Sequence, residues 1–167
     1  MKTPFPRLLT IAALLTLGVA GAQTTPPAQT TPPPQSAAVN PWTQATLQAA
    51  TYVVIPATLE GNTALLSADQ QKILLDAMQR DSQNALHRKY PAANFATDPN
   101  QPGVIVVHPV WTVPGSLLPW NNFQARLELN QSGNRAVVND TFGLLEVWQH
   151  QADAANYVFD RVVKKLP

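Results

Sequence analysis

Hydrophobic and polar positions alternate in this chain with periods that mark out a few separate elements. Near the end, Ala155, Val158, Phe159, Val162, Val163 and Leu166 recur at i, i+3, i+4, i+7, i+8 and i+11. That spacing is one stripe of an amphipathic helix, and such a stripe must pack against something. Asp153 before it and Lys164-Lys165 at its end have the signs the helix dipole favours. A second helix is predicted from Ser67 to Tyr90. Ser67-Ala68-Asp69-Gln70 reads as a capping box, and Pro91 disfavours helical geometry in the residue before it. Leu74, Leu75, Met78, Ser82, Ala85 and Leu86 share one face of it, with Arg80, Asp81, Gln83 and Arg88 assigned to the wet side.

Elsewhere the period falls to two. Phe123, Ala125, Leu127 and Leu129 alternate with Gln124, Arg126, Glu128 and Asn130, which predicts a strand with one buried face. Gln131-Ser132-Gly133-Asn134 reverses the chain, and the returning strand runs from Arg135 as far as Trp148, with Gly143 as a bulge. Gly103 to Val113 is a β-branched run that predicts a central strand, with Pro109 at a bulge or an edge. Thr51 to Ile55 predicts a first strand stopped by Pro56, Gly61-Asn62 a turn, and residues 91–102 a loop. The resulting order is β-α-β-β-β-α. It implies an α+β fold, with a single antiparallel sheet of about four strands and two helices packed on one face.

Composition changes the picture mainly at the front. Lys2 and Arg7 precede an apolar run from Leu8 to Val19, and Ala20-Gly21-Ala22 then offers an A-x-A cleavage site before Gln23. Residues 1–22 therefore read as a secretory signal peptide, cut at Ala20, Ala22 and Gln23. Residues 23–41, rich in Pro, Thr and Gln, repeat QTTPP and carry no charge, which predicts a disordered polyproline-like spacer. The folded domain is expected over 42–167. Without Lys2 and Arg7 the mature chain keeps 9 basic residues against 10 acidic ones. That balance leaves no electrostatic footprint for nucleic acid. There is no cysteine, so there are no disulfides, no thiolate metal ligands and no acylated Cys of a lipoprotein. An exported, periplasmic or cell-surface protein that is not a lipoprotein is expected, with no later segment approaching a transmembrane helix.

Catalytic chemistry is hard to assemble from these residues. The chain has no G-x-S-x-G elbow and no Gly-rich loop between a strand and a helix to cradle phosphate. His87, His108 and His150 are spread over three elements, and none has a ligand partner at metal-site spacing. Glu128, Asp140 and Glu146 lie on the expected hairpin, where carboxylates belong on the solvent face. No catalytic residue, no metal and no cofactor is expected. Of the tryptophans Trp42, Trp111, Trp120 and Trp148, those at 111 and 148 are assigned to strands as packing residues. Trp120 falls in a loop beside Asn121 and Asn122, a loop aromatic with amide neighbours suited to a partner or ligand contact.

With these elements placed, the hairpin FQARLELNQSGNRAVV (Phe123 to Val138) and the end NYVFDRVVKKLP (Asn156 to Pro167) stand in an order that resembles small exported bacterial envelope domains. The amino-terminal domain of TolB is of this kind: a first helix precedes a sheet and a last helix closes it. The resemblance implies docking to an envelope partner without catalytic residues. The expected function is that of a non-enzymatic, exported cell-envelope protein, a protein-docking or structural module. The alternative is a ligand-binding domain that takes a glycan or small apolar molecule through the Trp120 loop. The expected partner is an unidentified envelope protein, with a homodimer through a sheet face or edge as a way to cover exposed apolar surface.

Overall fold

In the computed structural model, residues 40–167 are described. The expected signal peptide, its cleavage residues Ala20, Ala22 and Gln23, and the spacer up to residue 39 lie outside them. In chain order the elements are α1 (Gln44–Gln48), β1 (Thr51–Val54), β2 (Thr58–Gly61), α2 (Ala68–Lys89), β3 (Asn94–Phe95), β4 (Ile105–Val113), β5 (Asn122–Gln131), β6 (Asn134–Gly143), α3 (Leu144–His150) and α4 (Ala154–Lys164).

The fold is α+β, but it is built on one mixed sheet of six strands with four helices, which corrects the expected four-stranded antiparallel sheet with two helices. The sheet order is β3-β1-β4-β5-β6, with β2 also paired to β4. The physical reason is α2. A helix between neighbouring strands carries the chain back to its starting end, so β1 and β2 both run parallel to β4. Only β4, β5 and β6 form an antiparallel meander. The strands missing from the sequence reading, β2 and β3, are four and two residues long, too short for a period to show.

Two prolines explain why β1 and β2 are separate pieces along one side of β4. Val54 pairs with Val107 and Thr58 with Val110, so one extra residue is accommodated on the β1–β2 side, around Pro56. Pro109 of β4 falls in the same interval and is skipped by the pairing on that side, although it faces Leu127 on the other. A proline is tolerated in this central strand because its missing N–H lies where the ladder is already interrupted. Gly61 closes the stretch at φ +78°. A Cβ there would lie 2.3 Å from the Val113 carbonyl oxygen, so only glycine fits.

The helices pack as their patterns require. Ala155, Val158, Phe159, Val162, Val163 and Leu166 are all buried, and α4 lies against α2, β5 and β6. The capping box at Ser67 forms, with Gln70 returning a bond to the Ser67 N–H. Met78, Ser82, Ala85 and Leu86 of α2 are buried as expected, but so is Asp81, against the wet-side position its sequence pattern predicts. The Asp81 carboxylate receives two hydrogen bonds from the neighbouring Arg80 guanidinium, at 2.8 and 3.0 Å, which is how its charge is compensated under burial. Ser132 and Gly133, at φ 49° and 85°, form the two-residue turn joining β5 to β6. The returning strand stops at Gly143. Leu144 to His150 is helix α3, and Leu144 and Val147 are its buried side. Gly143 is thus a boundary rather than a bulge.

One edge of the sheet is β6. Residues whose backbone groups point away from β5 alternate along it. Two of these groups are already occupied: the Asn139 carbonyl accepts from Lys165 Nζ at 2.8 Å, and the Thr141 N–H donates to Asp140 Oδ1 at 2.9 Å. Asp140 lies opposite the buried Ala125, so it is on the helix-facing side of the sheet. There it pairs with Arg161 at 3.0 Å and Lys165 at 2.9 Å.

Candidate functional site

Two groups of residues carry enough chemistry to be weighed. The first is a polar network across the face of the sheet opposite the helices. Thr58 and Glu60 come from β2, His108 from β4, Arg126 and Glu128 from β5, and Arg135 from β6. Residues two apart on a strand share a face, and register brings these six together. Thr58 Oγ1 and His108 Nε2 are 2.8 Å apart, and His108 Nδ1 is 3.9 Å from Glu128 Oε2. Hydroxyl, imidazole and carboxylate in this order have the connectivity of a hydrolytic triad.

The geometry does not complete one. At 3.9 Å the carboxylate does not hydrogen-bond the imidazole. Both Glu128 oxygens are committed, to Arg126 at 2.9 Å and Arg135 at 2.7 Å, and Arg126 further bonds Glu60 at 2.6 and 2.8 Å. Hydrogen bonding from Arg126 holds the Glu128 carboxyl below its ordinary range, against the opposing effect of burial and with help from the Arg135 charge. Separate hydrogen bonds from the Arg126 guanidinium lower Glu60. Both carboxylates of the network are matched to guanidinium groups, so neither is left to orient the His108 imidazole or to act as a free base. The network reads as cross-strand adhesion of the sheet.

The second group is apolar and lies at one end of the sheet. Four hydrogen bonds set its shape. Asn121 Nδ2 donates to the Ser116 carbonyl at 2.9 Å and the Asn121 N–H to the Leu118 carbonyl at 2.9 Å. The Leu144 N–H then donates to the Asn121 carbonyl at 2.9 Å, and the Leu145 N–H to the Pro119 carbonyl at 3.3 Å. The β4–β5 loop is thereby fixed to the first turn of α3. On this joined surface Trp120 is 74% exposed, Leu145 54%, Trp148 49%, Leu118 44% and Leu117 37%. Leu145 and Trp148 are about one helical turn apart, on the flank next to the buried Leu144 and Val147. Ile73 and Val137, also exposed, stand apart on α2 and β6.

The residues singled out from sequence fare unequally. Trp120 does project from its loop. Asn121 turns its amide inward to hold that loop, and Asn122 is the first residue of β5, paired with Gly143. Trp111 is buried and stacks on Phe123 with ring centres 4.0 Å apart, whereas Trp148 belongs to α3. His87 packs against Phe95, His108 bonds Thr58, and His150 stacks on Tyr157. Among the described residues, no three His, Cys, Asp or Glu side chains gather as a metal site. Glu146 is not a strand residue but part of α3, bonded by Tyr157 and by Arg161, the latter at 2.8 Å. Sequence reasoning missed Leu145 and Trp148. The available signal was the i, i+3 spacing of Leu144 and Val147 directly after Gly143.

No family model, no curated protein and no solved structure matches the chain. No helix among the described residues is long and apolar enough to cross a membrane.

Proposed function

We propose that this chain is a non-enzymatic, exported cell-envelope protein whose folded domain works as a docking module through its apolar end. The carrying observation is the five-residue surface of Leu117, Leu118, Trp120, Leu145 and Trp148, held in place by the loop-to-α3 hydrogen bonds. Isolated exposed apolar side chains are common, but a group of five around two tryptophans has the composition of an interface centre. The leader expected over residues 1–22 and the resemblance to TolB-type domains agree with a docking role at the envelope. The salt-bridge network on the sheet face away from the helices fits the same reading, since its two carboxylates are tied to arginines and neither orients His108.

The alternative, a glycan or small apolar ligand at Trp120, Asn121 and Asn122, has less support. The Asn121 amide is used inside the loop, and the described clefts of about 290 to 560 Å³ are lined by other residues. Crosslinking capture from intact cells tests the docking reading, using a C-terminal tag on the wild type and on Trp120→Ser. The expected result is a defined set of contacts that the substitution depletes. Capture that is identical for both chains would sink it.

A further inference from the structure

We infer that the apolar end is a self-association surface, occupied by the same end of a second copy of this chain. The inference rests on the docking reading and adds the identity of the partner. Area decides first. With residue areas of about 250 Å² for Trp and about 190 Å² for Leu, the five side chains leave about 550 Å² exposed. Two such surfaces facing each other bury at most about 1,100 Å², close to the ~1,000 Å² that a specific contact needs. The surface is thus large enough for one two-fold contact and small enough to make it a weak one.

Charge agrees. A two-fold contact sets a surface against its own copy, so a surface with net charge would repel itself. From Pro114 to Asn122 there is no ionisable side chain. From Leu144 to Gln149 there is only Glu146, and it is turned to Tyr157 and Arg161. The composition, Leu and Trp without Lys or Asp, is that of a homodimer interface core. A lipid surface is less well matched, because neither segment contains a Lys or Arg to meet anionic headgroups.

One rival route to self-association, pairing along the β6 edge, is hindered. The Asn139 carbonyl and Thr141 N–H, which a second strand would need, are taken by Lys165 and Asp140. The apolar end requires no such rearrangement, and its backbone is already fixed by hydrogen bonds across the loop and α3.

Sedimentation velocity on the protein as recovered from cells, over about 1 to 300 µM, is the test. The wild type should pass from monomer to dimer mass within that range. Trp120→Ser and Leu145→Ser alter exposed positions, so both should fold as the wild type does by circular dichroism. Each should weaken dimerisation at least about tenfold. A wild type that stays monomeric throughout overturns the inference, and so does a dimer that both variants leave intact. If the wild type is monomeric while Trp120→Ser still depletes captured proteins or vesicle binding, self-association fails and the docking reading survives. If both assays are indifferent to Trp120, both fail.

Discussion

Asp140→Asn keeps the shape of the side chain and removes its charge, which isolates what that charge does beneath α4. The carboxylate is only 14% exposed and meets Arg161 at 3.0 Å and Lys165 at 2.9 Å, so the substitution strips two cations of their shared partner. Lost hydrogen bonds to charged groups cost about 1.5–3 kcal/mol, and the partial exposure of Arg161 and Lys165 argues for about 2 kcal/mol. For a domain of this size that is about 8 °C in Tm. The pH dependence gives the sharper test. Burial raises the Asp140 carboxyl, but the hydrogen bond from Lys165, the Thr141 N–H and the Arg161 charge outweigh it, and the group titrates below the ordinary aspartate value. A depressed carboxylate contributes stability that is fully present above its unfolded value, about 3.9, and is lost as pH falls through the folded one. Urea unfolding of wild type and variant at pH 7 and at steps down to about pH 3 should show a gap that narrows with acid. Because Glu60, Glu128 and Glu146 are also depressed, both proteins weaken in acid, and only the difference between them reports Asp140. A gap below about 0.5 kcal/mol at pH 7, or one that does not change with pH, would refute the reasoning.

Other substitutions probe the remaining elements. Gly61→Ala sets a Cβ against the Val113 carbonyl at positive φ and should cost about 2 kcal/mol or more, read as a lower urea midpoint. Phe159→Ala empties a fully buried site between α4 and the sheet and should cost about 3–5 kcal/mol by the same assay. Arg126→Met breaks the bonds to Glu60 and Glu128 and should cost about 1–2 kcal/mol, and high salt should reduce that loss. His108→Ala should leave capture from cells unchanged, since it lies on the sheet face and not on the apolar end; depletion would move the docking surface to the polar network.

Where the sequence was legible, one element satisfied its own period. The stripe of α4, the capping box of α2 and the alternation of β5 each state locally which side faces the core. Sheet direction was not local. It follows from α2 lying between β2 and β4, and the antiparallel expectation came from the hairpin alone. Leu144 to Trp148 is helix where the pattern predicts strand, because five mixed residues after a strand fit either period. Asp81 and Asp140 depart from the solvent face for a related reason: their arginine and lysine partners compensate a carboxylate that its local pattern alone would leave in water. Of the candidate contact residues, Trp120 was visible as a loop aromatic, while Leu145 depends on the bond from its N–H to Pro119, which no local pattern announces.

The side-chain cover on β6 ties the solubility of this protein to its last helix. Lys165 lies at the end of α4 and Arg161 within it, so local unfolding of α4 would withdraw both from Asp140 and free the Asn139 carbonyl. The same event would uncover the apolar face of β5. A ten-residue strand with an unpaired ladder beside open Leu127 and Leu129 is a template on which another chain can add. Aggregation should therefore follow the opening free energy of α4, a local quantity smaller than the global stability, and conditions that fray this helix should precipitate protein that is otherwise still folded.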